Sequence, residues 1–407
     1  MTHIEFLKVD TLDVALDKLM KYTSIETESI QTAQSFGRVA SINVMSLENV
    51  PYFRRSSVDG YAVIAKDTAA ATDSIPTFLK NKGYVEIGRE TNISIVSGEC
   101  VEVPTGGMIP HGADSVVMIE YTDAFADEIT INMGVASGDN VVQIGDDIKE
   151  NDIVLKKGTV ITPMHIGTLM ALGYTNIEVY KKKSITIFST GTELVTPDKK
   201  AEDGKVRDIN TYVLSSFAES MGYNVIHEEM LIDDDALIEE KLKEAMQTSD
   251  IVALSGGSSQ GKKDNTGKII KSISSPGILT QGLALKPGKP TILAYDEKSD
   301  TIIAGLPGQP MSAVVVFKLV LGILLNKLTN VPEEKALFAK ISINVPTQGG
   351  KLTFVPCTIA EEEGYIATPI LTKSANISTL SKLDGYILIG ENEEGLNKGD
   401  IVKIMRL

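Results

Sequence analysis

At 407 residues the chain is too long for one ordinary domain, and two to four are expected. Its formal net charge of −15 argues against a nucleic-acid-binding surface and against a basic membrane-facing one, although local amides and a few lysines can still suit an anionic ligand. The two cysteines, Cys100 and Cys357, lie far apart without metal-ligand spacing, so they offer no zinc site or disulfide framework and fit a reducing cytoplasm.

Residues 1–5 have neither a basic segment nor an apolar run, so no signal peptide is expected. Leu12, Ala15, Leu16, Leu19 and Met20 recur at helical spacing behind a cap at Asp10 or Thr11. A second short helix is expected to end at Gly37. From Tyr61 to Gln143 short β-type runs (101–103, 115–119, 129–131) alternate with Gly, Pro, Asn and Asp, which marks a small all-β insertion. Helical character returns at Thr162-Pro163 and stops at Gly173.

From Ser184 strands near 185–188, 225–230, 251–254, 291–295 and 301–304 alternate with helices near 210–221, 235–247 and 264–272. That alternation predicts a parallel sheet covered on both faces. The apolar stretch from Met311 to Leu328 approaches membrane-spanning length, but Lys318 interrupts it and Pro310 opens it like an ordinary helix, so a buried or interface helix is expected. Beyond Pro332, strands near 341–345, 352–356, 365–368, 386–389 and 401–404 predict a compact β barrel or sandwich. The fold class is therefore multidomain α/β plus β. A discontinuous helical linker domain occupies 1–48 and 149–181, and an all-β insertion domain 49–148. A parallel α/β sheet domain follows at 182–331, and a C-terminal β-barrel-like domain at 332–407.

Three glycine-rich turns follow strands of the α/β segment: Ser189-Thr190-Gly191-Thr192-Glu193, Ser255-Gly256-Gly257-Ser258-Ser259-Gln260-Gly261 and Gly305-Leu306-Pro307-Gly308-Gln309-Pro310. Turns leaving parallel strands lie at the carboxyl edge of the sheet, where ligands bind. Glycines there let backbone N–H groups approach an anion beside a helix N-terminus. The second turn comes close to a P-loop, but Lys263 stands where a P-loop needs a hydroxyl for Mg2+. Glu193, Asp233, Asp234, Asp235 and Asp264 all fall just after strands. Such carboxylates serve either as helix caps or as Mg2+ ligands. Lys286-Pro287-Gly288-Lys289-Pro290 sets two ammonium groups, partners for oxyanions, on a stiff turn. Together these features suggest a phosphate-bearing ligand with a divalent metal.

Several strings, taken in order, resemble the molybdopterin molybdenumtransferases, the family of bacterial MoeA proteins and the E domain of gephyrin. They are Ser57-Val58-Asp59-Gly60-Tyr61-Ala62, Thr105-Gly106-Gly107-Met108-Ile109-Pro110, Gly145-Asp146-Asp147-Ile148, the three glycine turns and the Lys-Pro-Gly-Lys-Pro turn. The resemblance runs almost end to end. It implies a homodimer with each active site formed between subunits and an α/β domain of the molybdopterin-binding type. The implied reaction takes molybdate and adenylylated molybdopterin and, with Mg2+, releases AMP. Asp59, Thr105 and Asp147 would act from one subunit in catalysis or positioning, and Lys286 would hold molybdate. Glu193, Asp233 and Asp264 of the partner's α/β domain would bind Mg2+ and the pterin phosphate region. Thr190, Gly191, Gly256, Gly257, Ser258, Gly261, Lys289, Pro307 and Gly308 would contact the pterin substrate, with Ser374 from the C-terminal domain. A molybdopterin adenylyltransferase would be the substrate donor, and the location cytoplasmic, with no nucleic-acid or membrane partner.

The chain departs from the family pattern at named places. Gly282 stands where members usually carry a further lysine, Ser258 and Gln260 where they carry valines, and Asn265 where they carry a tyrosine. An expected arginine has no equivalent near Lys351 or Pro356. Two alternatives follow: a paralogue that holds molybdopterin without inserting metal or acts as a scaffold, and a tungstate-preferring transferase.

Overall fold

The computed structural model describes residues 9–256, 265–333, 335–362, 364–371 and 376–407. They form two compact units: one comprises 43–156 with 167–175, and the other holds the α/β sheet and the C-terminal barrel.

The α/β sheet has six strands: β1 Ser184–Thr190, β2 Asn224–Leu231, β3 Ile251–Ser255, β4 Pro276–Gln281, β5 Ile292–Asp296 and β6 Thr301–Leu306, in the spatial order β2-β1-β3-β6-β5-β4. The helices are α1 Asn210–Ser220, α2 Asp235–Ala245, α3 Thr266–Ile273 and α4 Pro310–Thr329. β2, β1, β3 and β6 are parallel. Their residues alternate between two cores: Ile185, Ile187, Ala253 and Ile302 face α1 and α4, while Phe188, Val252, Leu254 and Ile303 face α2 and α3. β5 runs antiparallel to β6. The four residues 297–300 between them allow a hairpin but no crossover, which needs a dozen or more. β4 then adds an edge strand that was not expected from the sequence.

α4 is long and apolar enough to cross a membrane by length and composition, and its side chains instead fill the core between the sheet and the helix Leu12–Met20. That first helix is capped by Thr11, whose Oγ1 accepts from the Val14 N–H. In place of a helix ending at Gly37, residues Thr27–Gln31 form a strand paired with Asn176–Tyr180, followed by a single 3-10 turn at Thr32–Gln34.

In the C-terminal region Leu352–Glu362, Gly364–Pro369, Leu337–Ile341, Ile401–Met405 and Gly385–Ile389 close into a five-stranded barrel, because the last strand pairs back onto the first. Its first strand in sequence lies four residues earlier than expected, since Ala339 and Ile341 point inward in period-two alternation. The short strand Leu285–Lys286 pairs in parallel with Leu352 and Thr353, which attaches the barrel to the α/β domain. The other unit is a curled six-stranded sheet spanning Gly60–Val63 to Glu128–Ile131, with an apolar cluster on each face.

Candidate active site

The chain moves from β1 to one neighbour, β2, and then returns to the other side at β3. This reversal creates a switch point at the carboxyl ends of β1 and β3, where open α/β sheets bind ligands. Thr190 and Gly256 meet there. Gly256 has φ +108°, and a Cβ on it would stand 2.1 Å from the Thr190 carbonyl oxygen, so a side chain is excluded. The third turn closes in beside them: the Gly256 N–H donates to the Leu306 carbonyl over 3.2 Å, and a Cβ on Gly308 would touch Gly256 Cα at 3.5 Å.

One side chain, absent from the sequence-based assignment, ties these turns together. Asn210 opens α1, and its Nδ2 donates to Ser255 Oγ at 2.7 Å and to the Gly308 carbonyl at 2.8 Å. Ser255 Oγ in turn donates to the Pro307 carbonyl at 3.1 Å. The next residue, Thr211, shares a 2.8 Å hydrogen bond with Ser189, and its N–H is capped by buried Asp208. Asn210 Oδ1 and Thr190 Oγ1 are buried with no hydrogen-bond partner among the described residues. Buried polar atoms are nearly always paired, so two such oxygens at one crevice suit a hydrogen-bonding guest.

Carboxylates border the crevice. The Glu193 oxygens lie 2.8 Å from where a Cβ on Gly191 would sit, folded back over the turn after β1. Asp233 is exposed at the end of β2, while Asp234 is the N-cap of α2 and accepts from the Leu237 N–H at 2.9 Å. Asp235 accepts from Asn265 Nδ2 at 2.6 Å, which joins this turn to the start of α3. Among the described residues no three His, Cys, Asp or Glu side chains form a ready metal cage. Glu193 and Asp233 nevertheless have the right chemistry for Mg2+, which binds through one or two carboxylates and completes its shell with water and phosphate oxygens. Gly257, Ser258, Gly261, Asp264 and Ser374 lie outside the described residues.

A cavity of about 450 Å³ opens where the Lys286–Pro290 turn faces Pro307, Gly308 and Ser312. Lys286 and Lys289 line it together, as the sequence suggested, and Gln348 and Lys351 of the C-terminal region line it too. Gly282 does not line it. Its φ is +94°, and a Cβ on it would stand 3.0 Å from Val9 Cγ1, so any side chain there is strained.

In the other compact unit the Asp59 and Thr105 motifs interlock. Thr105 donates to Asp59 Oδ1 twice, from its N–H at 2.7 Å and from its hydroxyl at 3.1 Å. The turns are joined by Gly106 N–H to the Ser56 carbonyl and Ser56 N–H to the Gly107 carbonyl. Gly60, next to Asp59, lies tight against the neighbouring strand 115–118, where a Cβ on it would meet the Val117 carbonyl at 1.9 Å. Asp147 is exposed on a separate turn of the same unit, held by its N–H to the Val50 carbonyl.

Three family models cover most of the chain. The MoeA N-terminal region (domains I and II) matches residues 10–173, the probable molybdopterin binding domain 186–327, and the MoeA C-terminal region (domain IV) 339–407. A putative molybdopterin biosynthesis protein of Methanocaldococcus jannaschii is 30% identical over 97% of this chain and 96% of its own. A molybdopterin molybdenumtransferase of Haemophilus influenzae is 30% identical over 97% and 98%. The crystal structure of the molybdopterin biosynthesis MoeA protein of Pyrococcus horikoshii superposes with a TM-score of 0.84 at 30% identity, covering 98% of this chain and 99% of that one. On this sequence, architecture and end-to-end likeness, the chain belongs to the molybdopterin molybdenumtransferase family of enzymes, the MoeA proteins.

Proposed function

We propose that this protein inserts molybdenum from molybdate into adenylylated molybdopterin, releasing AMP with the help of Mg2+. The observation that supports the reading best is the convergence of the glycine turns at the switch point, tied by Asn210, next to a lysine-lined cavity. Close backbone approach and the N-terminus of the long helix α4 favour an anionic group such as a phosphate. Lys286 and Lys289 orient the dianion as point charges. Glu193 and Asp233, with Asp264 by family likeness, would hold Mg2+. The metal, when bound, neutralises charge on the phosphate oxygens during cleavage of the phosphoanhydride. Asp59 accepts two hydrogen bonds from Thr105 at Oδ1, which hold its carboxylate in place. In this reading Asp59, Thr105 and Asp147 serve the site from one subunit of a homodimer and the carboxylates from its partner, with a molybdopterin adenylyltransferase as donor.

The reading is tested by supplying radiolabelled molybdate and adenylylated molybdopterin, then reconstituting a cofactor-free molybdoenzyme. Label and activity should appear together, and should require Mg2+. Glu193→Gln should shift the Mg2+ titration to higher concentration. Pterin that remains unlabelled while bound would overturn the transferase reading, and an unmoved titration would remove Glu193 from the metal site.

A further inference from the structure

We propose that the stretch Tyr52-Phe53-Arg54-Arg55 holds the nucleotide half of the substrate, with its two guanidinium groups on the phosphate and the Tyr52 ring on the base. The inference rests on reading the substrate as an adenylylated pterin, and it gives the curled-sheet unit a binding surface that the sequence-based assignment lacks.

Backbone pairing fastens this stretch between the turns that carry Thr105 and Asp147. On one side the Ile109 N–H donates to the Arg54 carbonyl at 3.0 Å, and the Ser56 N–H to the Gly107 carbonyl at 2.9 Å. Arg55 and Ser56 also pair with Val142 and Val141. On the other side the Gly145 N–H donates to the Pro51 carbonyl at 3.0 Å, and the Asp147 N–H to the Val50 carbonyl at 3.1 Å. Asp59 follows on the same segment and is itself bound to Thr105. Asp59, Thr105 and Asp147 thus all hang from residues 50–59, and Arg54 and Arg55 lie at the middle of that segment.

Charge and exposure then point to a ligand. The chain carries a net charge of −15, yet neither arginine takes part in an ion pair among the described residues. Carboxylates on the same turns are engaged elsewhere: Asp59 accepts from Thr105, and Asp146 accepts from the Gln143 N–H at 2.7 Å. Guanidinium groups left in this state suit a phosphate, whose oxygens take two parallel N–H bonds. Tyr52 is 71% exposed, and its ring meets Phe53 edge-on with centroids 5.1 Å apart. An exposed ring on a fastened backbone is preorganised to stack on a flat base. An inorganic oxyanion would use the arginines alone, whereas a nucleotide uses both features.

The experiment is equilibrium dialysis of the full chain with AMP and with ribose 5-phosphate, which keeps the phosphate and lacks the base. Wild type is compared with Tyr52→Ala, Arg54→Met, Arg55→Met and Arg55→Lys, with thermal melts to check folding. Each methionine variant should weaken both ligands by about tenfold, the scale of one charge-assisted hydrogen bond. Tyr52→Ala should weaken AMP by about tenfold and leave ribose 5-phosphate unchanged. Arg55→Lys should recover only part of the loss, because an ammonium cannot make the paired bonds. In turnover the methionine variants should raise KM for adenylylated molybdopterin more than they lower kcat. Variants that leave both AMP binding and KM unchanged while AMP release persists would overturn the inference and leave the transferase reading standing. A wild-type protein that neither binds nor releases AMP would overturn that reading, and the inference with it.

Discussion

Asn210 and Ser255 join two strands' worth of loop through one 2.7 Å hydrogen bond, and the same amide reaches the Gly308 carbonyl at 2.8 Å. A buried amide that makes both bonds fixes the separation of the β3 and β6 turns on which substrate would rest. Asn210→Ala leaves Ser255 and Gly308 without that donor, at a stability cost of about 2 kcal/mol. Turnover should fall by more than the fraction unfolded explains. Urea titration together with kcat/KM checks this, and full activity in the folded variant would reduce Asn210 to a structural residue.

Gly256 tests the switch point itself. Gly256→Ala puts a Cβ at 2.1 Å from the Thr190 carbonyl, with φ at +108°, so the β1 and β3 ends must separate. The expected outcome is a loss of about 3 kcal/mol or more in stability, with binding of the pterin substrate lost in whatever folds. Gly204→Ala, also at positive φ but with nothing within 4 Å, is the matched control and should cost less.

Much of this was legible in the chain, and the omissions have physical causes. Strand–turn–helix alternation and the glycine turns are local signals, so the sheet and its ligand edge could be read directly. The antiparallel β5 departs from the parallel sheet expected of the alternation, because the four residues between 296 and 301 cannot carry a crossover. Thr27–Gln31 gave no strand signal, as Thr, Glu, Ser and Gln offer no apolar alternation and its pairing with 176–180 is made by the fold. Asn210 and Lys351 were invisible for a related reason. A polar side chain bridging distant turns leaves no periodicity, and Lys351 reaches the cavity through the pairing of 285–286 with 352–353.

Asp59 and Thr105 separate charge from scaffold. Thr105→Val removes the 3.1 Å hydroxyl bond but keeps the 2.7 Å backbone one, so Asp59 should stay oriented and activity should fall by about tenfold. Asp59→Asn removes the charge from an exposed loop and should abolish turnover with little change in melting temperature. Circular dichroism melts beside the activity assay distinguish the two roles, and an unfolded Asp59→Asn would make Asp59 structural.

Acid stability should report on the amino edge of the sheet, away from the ligand edge. Burial raises the Asp250 carboxyl, but the Lys183 ammonium at 2.7 Å and the Ser184 hydroxyl and N–H outweigh it and hold it below the usual carboxylate range. A depressed folded value means that this stabilisation is present above the unfolded pKa, near about 4, and is lost as pH falls through the folded value. Asp250→Asn should therefore lower the melting temperature at neutral pH, with the gap closing in acid and turnover per folded molecule unchanged. A gap independent of pH would exclude the ion pair as its source.

The most direct measurement is AMP release from adenylylated molybdopterin by the purified protein, anaerobically with Mg2+, with and without molybdate. Molybdate-stimulated release, absent in Asp59→Asn, is the result this account predicts. Demonstrated substrate binding with no release at saturating molybdate would contradict it and identify a protein that holds the pterin without inserting metal.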